Sequence, residues 1–270
     1  MDHEITLRAL SFALIFILIA LWEIRTPRRT LTTSKKKRWF TNLSIIAMNP
    51  LLIRLVFPVF AVEMAQTAQA NGWGLLNYLG TPSVIAVPAG IIVLDLVIYL
   101  QHVMFHAVPL LWRLHMVHHT DLDFDMTTGL RFHPIEICLS LILKLTIIVA
   151  LGPPAISVLI FEILLNGMAM FNHGNIRMPP AVDRVLRFFV VTPDMHRVHH
   201  SVIIRETNSN YGFNLSIWDR LFGTYLAQPS KGHQELTIGL SLFRDPGRLT
   251  LPWLLILPII GSVGKQPINR

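Results

Sequence analysis

The sequence predicts an all-α integral membrane protein: about four transmembrane helices, the last pair a helical hairpin, carrying a cytoplasmic helical cap. Three observations predict it. Hydrophobic residues make up 52% of the 270 and charged residues only 14%, against about 25% charged in an average soluble domain. The apolar residues fall in long runs, and a tight Gly152-Pro153-Pro154 link joins two of them. This composition excludes an ordinary soluble domain and a disordered chain. The single cysteine, Cys138, excludes an internal disulfide and a thiolate metal cluster.

Residues 5–24 form the first run, about 20 residues or roughly 30 Å as a helix, enough to cross a bilayer core. Basic residues follow this run instead of preceding it, which argues against a cleaved signal peptide. Residues 42–62 form the second, interrupted by Asn49-Pro50 and Arg54. Residues 83–100 form the third, with Asp95 inside it and Gln101 and His102 directly after it. Residues 135–151 and 155–171 are the hairpin, each near the lower length limit for a span. Residues 251–263 are too short and too proline-rich to span, and read as interfacial or buried.

Charge orients the runs. Between residues 25 and 40 stand Arg25, Arg28, Arg29, Lys35, Lys36, Lys37 and Arg38 with no acid, which accounts for the whole formal charge of +7. A basic loop between two apolar runs is a cytoplasmic membrane loop that meets anionic lipid headgroups. A nucleic-acid partner is not expected. Residues 63–82 hold no Lys or Arg and are expected outside. The N-terminus is then outside, and residues 101–134 and 173–250 share the cytoplasmic face.

That face carries most of the 12 histidines. His102 and His106 form an i, i+4 pair. His115, His118 and His119 form a second set, and His196, His199 and His200 a third. On a helix these spacings share one face, so each set is expected to present its rings to one point. Eight imidazoles exceed the coordination of one first-row ion and suit two. Burying them without a shared partner would strand many ring nitrogens. His173 is a candidate ninth ligand. His133 is a ligand, an orienting donor or a helix-start residue. His3 and His233 are read as ordinary polar histidines. Asp121-x-Asp123-x-Asp125 imitates a calcium loop, but Met126 and Phe132 stand where glycine and glutamate are needed. Asp95 is a candidate to orient a ligand or to bond Tyr99. Lys144 and Arg54 snorkel or meet an acidic partner.

The three sets, as His-x3-His, His-x2-His-His and His-x2-His-His, resemble the fatty acid hydroxylase and sterol desaturase superfamily of integral-membrane non-haem di-iron enzymes. The flanks extend the resemblance: Thr192-Pro193-Asp194-Met195 before the third set, Asn210-Tyr211-Gly212, Trp218-Asp219-Arg220-Leu221-Phe222-Gly223-Thr224-Tyr225, Arg131-Phe132-His133-Pro134-Ile135-Glu136 and Asn172-His173-Gly174-Asn175. It covers about residues 94–225.

The resemblance implies metal ligation by His102, His106, His115, His118, His119, His196, His199 and His200, with His173 and His133 as further ligands. It implies two iron ions, O2 as co-substrate, an external electron donor such as an electron-transfer protein or reductase, and a lipid substrate that is hydroxylated or desaturated. Asp194, Asn210 and Asp219 are candidates to support the ligands, as is Tyr211 to line the site. The alkylglycerol monooxygenase branch, which uses a pterin reductant, has an acid just after the first set; Ala107 stands there instead, which puts the pterin in doubt. Three divisions follow: residues 1–100 as N-terminal transmembrane helices with the basic loop 25–40, 101–228 as the catalytic domain with hairpin 135–171, and 229–270 as a tail. The rival reading from another class is a membrane metal-binding or metal-transport protein. Transport would want ligands near the bilayer midplane. A zinc hydrolase fits less well, since zinc takes about four ligands.

Overall fold

A computed structural model describes residues 4–264; His3 and the end of the 229–270 tail lie outside the described residues. The regular elements of these residues are all helices, with only isolated bridge pairs and no strand among them. Helix α1 (Glu4–Arg25) matches the first run. Helix α2 (Lys35–Val56) begins where Ser34 accepts from the Lys37 amide, and ends just before Phe57-Pro58. Proline disfavours helix in the residue before it, which explains the stop.

The segment expected as an outer loop is mostly helical. In α3 (Ala61–Ala70), Ala61, Ala65 and Ala68 are buried and let it pack closely on the hairpin. The short α4 (Leu75–Tyr78) follows. Helix α5 (Ser83–Ala107) runs unbroken through residue 100, so the first histidine set rides on the last turns of a long apolar helix. Pro109 starts α6 (Pro109–His119).

Helices α7 (Pro134–Leu151) and α8 (Ala155–Asn172) are the hairpin. Gly152 takes φ 66° at the turn and lies against Trp73 and Gly74, so a side chain there would be both strained and crowded. The cap follows: α9 (Pro180–Leu186), α10 (Pro193–His199), α11 (Ile204–Thr207), α12 (Ile217–Leu221) and α13 (Gly232–Glu235). The apolar α14 (Leu251–Ile260) buries Leu254 and Leu257 against α6 and α2 while Ile256 and Ile259 stay exposed. It is buried on one face and open on the other.

Five stretches are long and apolar enough to cross a membrane: α1, residues Lys35–Tyr78, α5, α7 and α8. They form one bundle, with α1 and α5 both packed along α8. Within it Glu162 of α8 meets Arg8 of α1 at 2.5 Å and Lys144 of α7 at 2.7 Å. The expected acidic partner of Lys144 is therefore a hairpin neighbour. Arg54 instead lies over the Phe60 ring at 5.7 Å.

Candidate metal centre

The cap sits at the end of the bundle that holds the C-termini of α5 and α8. Helix geometry brings the histidines there. Pro109 and Pro193 start α6 and α10, and Thr192 caps α10 by accepting from the Met195 amide. Gly129 lets a 3-10 turn, Thr128–Leu130, press on the end of α8: a Cβ would lie 2.2 Å from the Ala169 carbonyl and 2.9 Å from His173.

Nine histidines gather in two groups. His102, His106, His115, His119 and His199 form one; His118, His173, His196 and His200 form the other. Within each group the ligand atoms lie within 4.8 Å of one another. None of the nine is more than 4% exposed. The groups adjoin, with the His119 and His200 rings stacked at 4.5 Å.

This arrangement corrects the expectation that each set serves one point. The i, i+4 pairs stay together: His102 with His106, His115 with His119, His196 with His200. The third member of each triple crosses over, His118 to the second group and His199 to the first. Adjacent helix residues are rotated by about 100°, so His118-His119 and His199-His200 must face different centres.

Hydrogen bonds fix the rings. His102 Nδ1 donates to the Tyr211 carbonyl at 2.8 Å, His199 Nδ1 to the Ser209 carbonyl at 2.7 Å, and His173 Nδ1 to the Ala169 carbonyl at 2.8 Å. His115 Nδ1 meets Glu136 at 2.7 Å and His106 Nδ1 meets the Asn208 amide oxygen at 3.2 Å. A proton on Nδ1 leaves the Nε2 lone pair pointing inward. Burial first, then neighbouring imidazoles, holds His118, His119, His196, His199 and His200 well below the usual histidine range. Burial likewise pushes His173 down to about 3. These rings are neutral at pH 7, the form that binds metal.

The donor set fits metal ions. His102 Nε2 and His115 Nε2 face each other at 3.1 Å, and His173 Nε2 lies 3.1 Å from both His118 and His200 Nε2. With both Nδ1 atoms of the first pair protonated, two lone pairs confront each other and only a cation reconciles them. Ligands at right angles, about 2.1 Å from an ion, stand about 3 Å apart. The buried Nε2 atoms of His106, His119, His196 and His199 have no hydrogen-bond partner among the described residues. Aromatic rings wall the site: Phe132 stacks on His118 at 4.5 Å, Phe124 on His173 at 5.3 Å, and Phe213 lies 5.7 Å from His102.

The structure places the other sequence candidates around the groups. His133 lies apart from both: it caps α7, its Nδ1 accepting from the Ile135 amide while Nε2 donates to the Leu255 carbonyl. Asp95 meets neither a ligand nor Tyr99; it accepts from Trp218 Nε1 at 2.8 Å and the Leu215 amide at 3.2 Å. Asp219 accepts from the Tyr211 and Gly212 amides and so anchors the turn whose carbonyl holds His102. Burial raises Asp219 to about 6. Asn210, at φ 52°, donates to the Met195 and Leu226 carbonyls. Asp194 pairs with Arg28 and Arg197 at the base of α10. Burial would raise this carboxyl, but Arg197 and Arg28 outweigh it and hold it at about 2. Tyr211 lies 5.1 Å from the His106 ring.

Sequence reasoning missed Glu136 and Asn208. Glu136 stood in a quoted motif, yet nothing in its spacing tied it to His115. The supporting carbonyls carry no side-chain signal at all.

Residues 87–224 match the fatty acid hydroxylase family. The chain is 30% identical over 157 residues to ornithine lipid hydroxylase OlsE of Rhizobium tropici, covering 58% of this chain and 46% of that protein. It is 29% identical over 150 residues to alkylglycerol monooxygenase of Homo sapiens, covering 54% of this chain and 32% of that one. The Xenopus tropicalis alkylglycerol monooxygenase is likewise 29% identical over 150 residues, with 54% and 31% covered. The chain thus spans less than half the length of these relatives. No solved structure matches it at a significant level. The matched stretch contains all nine clustered histidines, and the chain belongs to the fatty acid hydroxylase family.

Proposed function

We propose that the chain is a membrane-bound, O2-dependent lipid hydroxylase with two iron ions, one held by each histidine group. The observation that carries this is the division of nine buried imidazoles into five and four at one end of apolar helices, inside a family match. No side chain oxidises an unactivated C–H bond; the metal pair supplies that chemistry with O2 and electrons from an external donor. The chain supplies the rest. Glu136 and the backbone carbonyls hold the rings in the metal-binding tautomer. Phe124, Phe132 and Phe213 keep water from the centre.

The names of the relatives, an ornithine lipid hydroxylase and alkylglycerol monooxygenases, favour the acyl or alkyl chain of a polar lipid over a sterol, and hydroxylation over desaturation. A metal transporter fits less well, because the ligands gather at helix ends and not at the middle of the bundle.

The basic loop shares an end with the centre: Arg28 pairs with Asp194, and the Arg28 amide donates to the Asn175 carbonyl. Residues 73–77 lie at the other end, against the hairpin turn. By the positive-inside rule the centre is cytoplasmic and the N-terminus outside. Compartment-sensitive reporters after Pro82 and after Arg205 are expected to give opposite signals; like signals would overturn this orientation.

Mass-spectrometric lipid profiles of deletion and overexpression strains test the activity. A lipid that gains one oxygen atom is the expected result. Metal uptake into vesicles without O2 consumption would support the transporter instead.

A further inference from the structure

On the side of the cap below α9 lies a cleft of about 820 Å³, lined among others by Arg28, Arg177, Arg184, Arg187, Tyr225 and His233. Its two carboxylates are already engaged: Asp183 with Arg187 and Thr192, Asp194 with Arg28 and Arg197. Arg177 and Arg184 are exposed and have no ionic partner among the described residues. Arg187 and His233 are each 6% exposed, and Arg187 Nε and His233 Nδ1 have no hydrogen-bond partner among the described residues. His233 Nε2 faces the Gln228 amide oxygen at 3.0 Å, to which it donates, so Nδ1 is left as an acceptor. The cleft thus offers guanidinium donors for an anion and one acceptor for a neighbouring hydroxyl.

The rim of the cleft is apolar. Val182, Val185, Phe188 and Phe189 are 45–67% exposed. Phe222, also exposed, stacks at 5.4 Å on the buried Tyr99 of α5, which ties the rim to that helix. Rim and cleft are continuous: Arg220 lies over Phe188 at 4.9 Å and over Tyr225 at 4.0 Å, and Arg187 donates to the Tyr225 hydroxyl. An apolar rim beside a cationic cleft is the pattern of a surface that dips into the bilayer and takes an anionic headgroup.

We propose that this cleft binds the headgroup phosphate of an anionic phospholipid through Arg177, Arg184 and Arg187, with Phe188, Phe189 and Phe222 against its chains. The site is separate from the histidine centre, and the lipid it holds need not be the substrate.

The test uses the full chain in nanodiscs of phosphatidylcholine with or without phosphatidylglycerol, and counts phosphatidylglycerol retained on extraction by native mass spectrometry. The variant R177Q/R184Q removes two exposed charges, and R205Q/K231Q removes the same charge from exposed cap residues outside the cleft. Retention is expected to weaken about 25-fold in R177Q/R184Q, the product of about 5-fold for each guanidinium near an anionic surface, and to stay unchanged in R205Q/K231Q. Equal retention in R177Q/R184Q and the parent, or equal loss in both variants, would overturn the proposal. So would inorganic phosphate alone binding as tightly as the lipid with the same variant dependence, which would assign the arginines to a free phosphate. Arginine-dependent binding of polyglutamate in preference to phosphatidylglycerol would assign the face to an acidic protein. None of these readouts needs turnover, so they stand apart from the activity proposed above.

Discussion

Glu136 is the residue whose replacement tests the centre most directly. Its carboxylate accepts from His115 Nδ1 at 2.7 Å, and the two side chains are 4% and 2% exposed. The bond does two things: it keeps the proton on Nδ1, leaving Nε2 free 3.1 Å from His102 Nε2, and it places a negative charge behind the ligand. Glu136→Gln keeps an acceptor oxygen and removes the charge. Glu136→Ala removes both, leaves a buried N–H without an acceptor, and lets the ring take the tautomer that puts a proton where the metal must bind. Loss of a hydrogen-bonded support behind a ligand costs about 10–100-fold in metal affinity, or about 1.4–2.7 kcal/mol. Glu136→Gln should fall near the lower bound and Glu136→Ala near the upper. Chelator competition on detergent-purified protein, with bound metal counted by inductively coupled plasma mass spectrometry, measures the difference. The reasoning fails if Glu136→Ala folds normally and keeps an affinity within about twofold of the parent, since His115 would then owe its orientation to something else.

Three other outcomes follow from the geometry. His173→Ala should lower bound metal in the four-histidine group, whereas His133→Ala should leave metal content unchanged and cost about 1 kcal/mol as a lost helix cap; metal counting paired with thermal unfolding separates the two. Asp194 has its pKa lowered from 3.8 to about 2 by Arg197 and Arg28 acting against burial. A depressed carboxylate stabilises above its unfolded pKa, so Asp194→Asn should cost roughly 2 kcal/mol at pH 7. The parent's advantage should shrink as pH falls from about 4 to about 2, read from urea unfolding in mild detergent at each pH. Arg38→Leu strands the buried carboxylates of Asp121 and Asp125 and should destabilise by about 3–5 kcal/mol; a double variant R38L/D121L as unstable as the two single effects added would show that the pair does not couple.

The runs, the hairpin and the histidine sets were legible because each is a local pattern: length against bilayer thickness, a Gly-Pro-Pro turn, i, i+4 spacing. The division of His118 from His119 and of His199 from His200 was also written in the sequence, since adjacent helix residues cannot face one point. What it did not reveal was which half of each pair joins which group, because α5, α6, α8 and α10 meet only in the folded chain. Glu136 shows the same limit. It stands 21 residues from His115 on a different helix, and a carboxylate near the start of a helix reads as an ordinary favourable charge. The helical α3 was hidden for another reason. Its alanines carry little hydropathy, yet their small size is what lets the helix pack on the hairpin.

Two features that looked unrelated along the chain turn out to be partners. The basic loop read as a solvated membrane-facing segment, and Asp121-x-Asp123-x-Asp125 read as a failed calcium loop. In the fold Arg38 is buried and bonds Asp121 and Asp125, each at 2.6 Å. Asp123 accepts from the amides of Thr32 and Thr33, and Arg28 meets Asp194. Arg38 and the neighbouring Arg131 hold Asp121 well below the usual carboxylate range against burial. Only part of the +7 loop therefore stays exposed, with Lys36 and Lys37 at the surface while Arg28 and Arg38 are built into the cap. Asp121 follows His119 by two residues, and Arg131 ties the Val117 carbonyl to Asn42 of α2. The basic loop thereby fixes the second histidine set against the bundle, so that assembly of the centre depends on the charge proposed above to orient the chain.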